Sequence, residues 1–273
     1  MVLYLEPLTQ RAPRAQRQSA ASLTLRRFCG ARVPDSSARL LSNGDTALSV
    51  EFGERIDRAT SERVLALYDR LARAALPGVV ELLPTFRSLM IHYDPVRTSR
   101  ATLARELAPM LEGLQGVKPA TRRWSIPVCY DPQFALDLEE VASRTGLAPS
   151  EVIELHSTTT YHVYMIGFLP GYPYLGDLPA RLALPRRENP RTQVPMGAVA
   201  IATTQTAVYT LQGPGGWHIL GRTPLPLWSR RRNPPALLAP GDQVRFAPIA
   251  RDEFERLARQ AEAGEIDLEP VAE

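Results

Sequence analysis

Proline and glycine recur every few residues between Tyr161 and Asp242, and this punctuation constrains the fold of the chain more than any other feature. The segments between these residues are short and apolar, such as Ala198–Ala202 and Ala207–Leu211, and Val244–Ala247 follows the region. Short strands separated by frequent turn signals are typical of all-β structure. The sequence therefore predicts an all-β region, for which a barrel with functional loops is the most suitable architecture.

One stretch of this region, YHVYMIGFLPGYPYLG, combines a strand with an unusual loop. An apolar, aromatic run begins at Tyr161 and stops at Gly167, and the loop that follows is rich in Gly, Pro and Tyr. Gly permits backbone geometries that other residues resist, Pro fixes φ, and Tyr adds a rigid ring with a polar tip. We interpret the loop as pre-shaped for binding, with Tyr172 and Tyr174 as candidate contacts; a tight, core-packed turn is the alternative.

The residues before this region alternate between strand and helix patterns. Apolar spacing predicts strands over 46–52, 79–83 and 88–93 and helices over 56–76 and from 98 or 99 to 114. Two short helices over 138–145 and 149–156 and a closing helix over 252–263 are also expected. The predicted fold class is α+β, with a small N-terminal α+β sandwich over 35–118 followed by a β-barrel domain over 119–273.

The basic charge of the chain is confined to its first residues. The formal net charge is +3, but residues 1–34 hold six arginines and a single acid, so the rest carries a small negative charge. We expect 1–34 to be a disordered basic extension, with a targeting peptide or a start site assigned too far upstream as alternatives. The remaining charge gives no case for nucleic-acid binding.

Several cofactor and compartment classes find no support in the sequence. The chain has one lysine, Lys118, and no GxxxxGK[ST] motif, so any ATP chemistry depends on partner subunits or on arginines. Its two cysteines, Cys29 and Cys129, form no CxxC pair, and no metal site is expected. No apolar stretch is long enough for a membrane span, and we expect a reducing, cytoplasmic compartment without membrane contact.

Five segments together resemble a known family. They are GDTALSVEFG (44–53), ELLPTFRSLMIHYDP (81–95), VYMIGFLPGYPYLG (163–176), PRRENPRTQVPMGAVAI (185–201) and GPGGWHILGRTP (213–224). The chain is identified by them as a member of the carboxyltransferase subdomain C/D family, which includes the B component of 5-oxoprolinase, a small allophanate-hydrolase-like protein and the Kip inhibitor of a histidine kinase. The resemblance implies that the barrel is cyclophilin-like. The sequence of this chain departs mildly from the family pattern at Ala198–Ala202, where relatives often carry glycines.

The resemblance also implies a function in a complex. In the oxoprolinase branch, the B component works with an A/B-type carboxyltransferase subunit, the C component, and with a third subunit, the A component. The assembly uses ATP to open the small-molecule lactam 5-oxo-L-proline to L-glutamate. We expect ATP to bind with or in the partner subunits. The alternatives are a non-catalytic inhibitor of a sensor histidine kinase and part of an allophanate- or urea-type amide hydrolase or carboxylase. Prolyl isomerase activity rests on fold analogy alone.

Opening a lactam requires residues that bind anions and polarise amides. Arginine grips carboxylate or phosphate with two hydrogen bonds, which nominates Arg187 and Arg191 for substrate binding and Arg222 for catalysis. Arg186 is expected to be solvated, and a surface charge or structural ion pair is the alternative for each of the other three.

Three further residues complete the candidate set. Trp217 follows a Gly-Pro-Gly-Gly run that could form an anion nest, and it is a candidate substrate contact or a core residue. Gln205 stands between apolar strands and could orient an amide, or be a turn residue. His156 ends a predicted helix and is a candidate catalytic acid or base.

Overall fold

The computed structural model describes residues 38–114, 121–266 and 268–271. The expected extension over 1–34 and the expected domain boundary between 118 and 119 lie outside the described residues. We refer to 38–114 as the N-terminal module and to 121–266 as the barrel module. The described structure confirms the α+β fold class with a closed barrel in its second part.

The N-terminal module is a four-stranded antiparallel sheet with two helices. Its elements are β1 (Arg39–Ser42), β2 (Ala47–Glu51), α1 (Arg58–Ala74), β3 (Val79–Pro84), β4 (Ser88–Tyr93) and α2 (Arg100–Met110). The strand order is β1-β2-β4-β3. Strand β1 is missing from the sequence prediction, which takes Asn43-Gly44-Asp45 only as a turn near the start of folded structure. In the structure this turn joins β1 to β2, with Gly44 at φ 66°.

Both helices of this module begin at side-chain caps and bury one face. The Asp57 carboxylate accepts a hydrogen bond from the backbone N–H of Thr60 at 2.8 Å, and Ser99 caps α2 in the same way. Residues from α1, α2, β2 and β4 form one buried cluster, which includes Val64, Leu67, Leu103, Leu107, Val50, Leu89 and Ile91. Burial of each large aliphatic side chain contributes roughly 1.5–3 kcal/mol, so this cluster holds the helices on the sheet.

The barrel module closes seven strands around a second core. Its elements are β5 (Arg123–Cys129), α3 (Leu138–Thr145), α4 (Pro149–Thr158), β6 (Tyr161–Ile166), β7 (Pro173–Gly176), β8 (Arg191–Val194), β9 (Ala198–Ala202), β10 (Gln205–Val208), β11 (Gly213–Gly215), β12 (His218–Arg222), β13 (Gln243–Ile249) and α5 (Arg251–Ala263). The closed order is β10-β7-β6-β13-β5-β12-β9, and β8 pairs with β11 in a separate ribbon. β5 and β13 are parallel, and the other barrel pairs are antiparallel.

The two faces of the barrel wall differ in side-chain size. Branched residues from all seven strands meet with α3 and α4 in one buried cluster, which therefore marks the interior. On β9, Val199 and Ile201 point into this interior, whereas Ala198, Ala200 and Ala202 join a separate cluster with aromatic residues. Because strand side chains alternate between faces, this second cluster lies on the outer face of the wall.

Contacts between the modules lie at β6 and β7. The Ser61 hydroxyl and Nε2 of His162 are 3.0 Å apart in a buried contact, and Nε of Arg58 donates to Asp177 at 2.8 Å. Phe86, in the turn between β3 and β4, packs against the ring of Tyr174 with 5.5 Å between ring centroids. The N-terminal module therefore supplies an aromatic edge to the outer face of the barrel.

Candidate functional site

The outer face of the barrel forms a floor of small residues surrounded by rings. The strand register places Gln205 opposite Ala202 and Tyr174 opposite Ala207. Trp217 immediately precedes β12, whose first residue pairs with the neighbour of Ala202, so Trp217 lies beside Ala202. Alanine on the floor leaves room for three large side chains from neighbouring strands to meet above it.

Four rings make up what we call the aromatic patch: Tyr172, Tyr174, Tyr209 and Trp217. Tyr172 lies at its centre and makes edge-on contacts with the other three at centroid distances of 5.1, 5.2 and 6.3 Å. Tyr174 also faces Trp217 at 6.1 Å. Tyr172 is 1% exposed and Trp217 5%, whereas Tyr174 is half-buried. Tyr172 and Trp217 thus form the base of the patch, and Tyr174 forms its open side.

The hydroxyl groups of the patch are neutral. Burial raises the pKa of Tyr172 far above its ordinary value, and the neighbouring Tyr209 and Tyr174 side chains raise it further. Burial also raises the pKa values of Tyr174 and Tyr209. The patch therefore offers rings and neutral hydroxyls, and it contributes no negative charge of its own.

The loop between β6 and β7 is a tight turn held by local hydrogen bonds, and Tyr172 within it is 1% exposed, which matches the core-packed alternative for that residue. The backbone N–H of Leu169 donates to the carbonyl of Gly167 at 2.8 Å, and the Thr210 hydroxyl donates to the Pro170 carbonyl at 2.7 Å. Phe168, between the first two, adopts φ 68°, is 59% exposed and contacts the ring of Tyr172 at 5.3 Å. A left-handed conformation at a non-glycine residue is costly, so the surrounding hydrogen bonds fix this loop against strain.

Arg187 and Arg191 are committed to carboxylates. Arg191 binds Asp137 through two hydrogen bonds of 2.7 and 2.8 Å, and Arg187 donates from one nitrogen to Asp137 and Glu140, each at 2.8 Å. Asp137 is 3% exposed and also accepts from the backbone N–H of Ile219 at 2.7 Å. We call Asp137, Glu140, Arg187 and Arg191 the Asp137 cluster. The structural ion pair that was the alternative for these arginines describes their observed contacts.

Arg186 is exposed and lies beside the aromatic patch. Its guanidinium lies 6.0 Å from the ring of Trp217, and its charge opposes the rise in pKa that burial causes at Tyr172, Tyr174 and Tyr209. It forms no ion pair with any residue that the structure describes. Arg186 is exposed, as the sequence predicts, and its approach to the Trp217 ring is a contact that the sequence did not indicate.

Gln205 contributes an unused donor beside the floor. Its Nε2 atom is buried and donates to no residue within the described part of the chain. Its pairing with Ala202 and the membership of Ala202 in the aromatic cluster place the side chain on the outer face. A buried amide nitrogen without a partner is costly, which favours a ligand or water at this position over a plain turn role.

Arg222 and His156 lie apart from the patch. Arg222 ends β12, five residues beyond Trp217, which corresponds to about 16 Å along a strand. Its Nε donates to the Met196 carbonyl at 2.8 Å, its guanidinium lies 6.0 Å from the Phe134 ring, and burial lowers its pKa. The structure does not bring it together with Gln205.

His156 lies in the barrel interior with both ring nitrogens hydrogen-bonded. Tyr130 OH is 2.9 Å from Nδ1, and Nε2 is 3.0 Å from the Thr206 hydroxyl, which itself donates to the Ala200 carbonyl. Nε2 therefore carries the proton and Nδ1 accepts. His156 also stacks on Phe246 at 4.7 Å, and burial lowers its pKa to about 3. These contacts favour a structural role over the acid–base role expected from the sequence.

The Gly-Pro-Gly-Gly run is a strand and not a nest. Gly213–Gly215 forms β11 against β8, and the Gly216 carbonyl accepts from the backbone N–H of Arg187 at 2.8 Å. A Cβ atom on Gly215 would lie 2.0 Å from the hydroxyl of Tyr209. Glycine is thus required here because the ribbon lies directly on the aromatic patch.

Comparison with known proteins identifies the family. The family described as carboxyltransferase domain, subdomain C and D, matches residues 38–238. The chain belongs to this family. Two curated members are named as the B component of 5-oxoprolinase: the Bacillus subtilis protein is 38% identical over 77% of this chain and 92% of its own length, and the Escherichia coli O157:H7 protein is 39% identical over 77% and 96%.

Other relatives are larger proteins. A urea amidolyase from Lachancea kluyveri is 28% identical over 83% of this chain, which matches 14% of that protein. A crystal structure of TTHA0988 is 41% identical with a TM-score of 0.67, and the match covers 75% of this chain and 40% of that one. The K. lactis urea amidolyase structure matches with a TM-score of 0.72 at 22% identity, over 86% of this chain and 16% of that one. This match supports the fold alone. No helix among the described residues is long and apolar enough to cross a membrane.

Proposed function

We propose that this chain is the B component of a multi-subunit, ATP-dependent 5-oxoprolinase, which opens 5-oxo-L-proline to L-glutamate. Its partners would be an A/B-type carboxyltransferase subunit, the C component, and a third subunit, the A component. The observation that carries the proposal is the 38–39% identity to proteins named as the B component of 5-oxoprolinase, which extends over 92% of the length of one and 96% of another. Similarity over nearly the whole relative supports a shared role better than a shared fold alone does.

The aromatic patch suits a small cyclic amide. The half-buried Tyr174 has its ring centroid 6.1 Å from that of the buried Trp217, and the apolar surface of Tyr174 would pack against the five-membered ring of the substrate. Nε2 of Gln205 would donate to the lactam carbonyl, which would satisfy a donor that is buried without a partner. In this role the residues bind and orient the lactam and exclude water from its apolar side.

ATP chemistry would belong to the assembled complex. The chain lacks a P-loop motif, and its single lysine, Lys118, lies outside the described residues. An amide is a poor electrophile at neutral pH, so the lactam must be activated and the developing anionic oxygen stabilised before water attacks. We place ATP in a partner subunit and the lactam at the patch, in a cytoplasmic complex.

The second candidate is a urea-type amide substrate. It is favoured by the urea amidolyase relatives, which are 24–28% identical over more than four fifths of this chain. Urea and its derivatives also present an amide that Gln205 could orient. They lack the proline-like ring that the patch would enclose, so the oxoproline assignment uses more of the observed surface.

Reconstitution of the complex tests the proposal. This chain would be co-expressed with the A and C components, and ADP release would be followed as a function of 5-oxo-L-proline, with urea and allophanate in parallel. We expect turnover that depends on 5-oxo-L-proline and disappears when any one chain is omitted. A stable complex that turns over only urea or allophanate would contradict the oxoprolinase assignment, and a chain that forms no complex would favour the regulatory alternative.

A further inference from the structure

Arg186 is an exposed arginine beside the aromatic patch, and its guanidinium has no ion-pair partner among the described residues. The guanidinium lies 6.0 Å from the Trp217 ring, and it is close enough to Tyr172, Tyr174 and Tyr209 for its charge to influence all three phenols. These phenols are neutral, so they cannot serve as its counter-ion. No carboxylate among the described residues pairs with Arg186 either.

The neighbouring arginines of the same segment are paired with carboxylates. Arg187 and Arg191 converge on the buried Asp137, and Arg187 also binds Glu140. Consecutive residues of an extended segment point in opposite directions, so Arg186 faces the patch while Arg187 faces the Asp137 cluster. The segment is held by the hydrogen bond from Arg187 N–H to the Gly216 carbonyl, which fixes Arg186 at the edge of Trp217.

We propose that Arg186 binds the carboxylate of the substrate, and that the patch consequently selects small cyclic amides that carry an acidic group. This inference rests on the proposed function and assigns a specificity-determining residue to it. Gln205 would bind the amide from the floor, while the planar guanidinium of Arg186 would take the carboxylate through two parallel hydrogen bonds. An open amide without a carboxylate, such as urea, would leave the Arg186 contact unused.

The test compares the kinetics of Arg186 variants in the reconstituted complex. The variants are Arg186→Ala and Arg186→Lys, and the matched control is Arg181→Ala, which removes an exposed arginine five residues earlier in the chain. The ligands are 5-oxo-L-proline as substrate and 2-pyrrolidinone, the same lactam without the carboxylate, as inhibitor. KM, kcat and the inhibition constant are measured for each complex.

We expect Arg186→Ala to raise KM for 5-oxo-L-proline by about ten- to a hundredfold, with kcat little changed, because a charge-assisted contact formed equally in the ground and transition states is lost. Arg186→Lys should recover part of this loss, and Arg181→Ala should resemble the unmodified chain. The inhibition constant of 2-pyrrolidinone should be the same for all four complexes. Loss of folding would instead lower the amount of active complex and leave KM unchanged.

Two results separate this inference from the function on which it rests. Turnover of 5-oxo-L-proline with an unchanged KM in Arg186→Ala would overturn the role of Arg186 and leave the function standing. If the unmodified complex shows no turnover, the function fails, and Trp217 fluorescence of the full chain then decides the inference. A signal from 5-oxo-L-proline that is lost in both Arg186→Ala and Trp217→Phe would support the carboxylate site, and no such difference would overturn it.

Discussion

The Asp137 cluster and the aromatic patch are neighbours that draw their arginines from one sequence segment, Arg186–Arg191, yet their polar groups are paired differently. In the cluster, two arginines and a backbone N–H donate to two carboxylates at 2.7–2.8 Å, although Nε of Arg187 is buried without a partner among the described residues. In the patch, the Arg186 guanidinium has no counter-ion and Nε2 of Gln205 has no acceptor within the described residues. Groups that are already paired can stabilise the fold, whereas unpaired groups remain free to bind a ligand.

The largest expected effect is on stability, at the centre of the cluster. Asp137→Ala leaves Arg187 and Arg191 without their shared carboxylate and Ile219 N–H without an acceptor, and we expect it to lower the free energy of unfolding by about 3 kcal/mol. Urea denaturation of the full chain measures this loss. Glu140→Ala is the matched control, since its carboxylate is 42% exposed and should cost less than about 1 kcal/mol. Equal losses of unfolding free energy in the two variants would contradict the view that the buried Asp137 contributes more to stability than the exposed Glu140.

A smaller loss is expected where the ribbon lies on the patch. Gly215→Ala forces a Cβ atom onto the rigid ring of Tyr209, and overpacking of this kind should cost about 2 kcal/mol. Gly213→Ala is the control in the same strand, because its Cβ would meet Leu169 only at an ordinary 3.5 Å. Thermal or urea unfolding distinguishes them. If both variants were equally stable, the close approach of β11 to the patch would be wrong.

Acidification should destabilise the chain through its buried histidines. Burial lowers the pKa of His156 to about 3 and of His162 to about 4, so the folded chain keeps both neutral while the unfolded chain takes up protons below about pH 6.5. Stability is therefore full above about pH 6.5 and falls as the pH drops toward about 4, by up to about 1.4 kcal/mol per pH unit for each histidine. Urea unfolding from about pH 7 to about pH 5 measures the slope, and His156→Gln should remove one histidine's share. An unchanged slope in that variant would contradict the interior placement of His156.

The smallest expected stability change is at Gln205. Gln205→Met keeps the size of the side chain but removes the unpartnered amide, so the free energy of unfolding should stay within about 1 kcal/mol of the original or rise. KM for 5-oxo-L-proline should nevertheless increase several-fold, because the loss of one neutral hydrogen bond costs about 1 kcal/mol of binding free energy. Denaturation and steady-state kinetics check the two halves. A clear loss of stability with unchanged KM would assign Gln205 to the fold.

Much of the fold could be predicted because local signals agree with it. Helix α3 (Leu138–Thr145) has the predicted bounds, since Gly146 provides the left-handed C-cap that ends it. Helix α1 lies within the predicted range of 56–76 and begins after Asp57, whose side chain caps it. Strand β1 was missed because it is a short edge strand of only four residues, and its pairing with β2 depends on tertiary structure.

The candidate site was harder to predict, because it depends on the direction in which each side chain points. PRRENPR contains three arginines, and nothing in their order shows which one faces Asp137, a residue fifty positions earlier. His156 likewise carries no sequence signal that Tyr130 and Thr206 occupy its nitrogens. Tyr172, Tyr174 and Trp217 were nominated because Gly and Pro around them mark tight packing, whereas Tyr209 stands in the apolar run Ala207–Leu211 and was missed.

The structure of the assembled complex with 5-oxo-L-proline bound would test the account most directly. We predict that the lactam ring lies against the exposed side of Tyr174 near Trp217, that its carboxylate is within hydrogen-bond distance of Arg186, and that Arg187 and Arg191 still bind Asp137. A ligand whose carboxylate binds Arg187, Arg191 or Arg222, or that binds away from the aromatic patch, would contradict the division between paired and unpaired arginines.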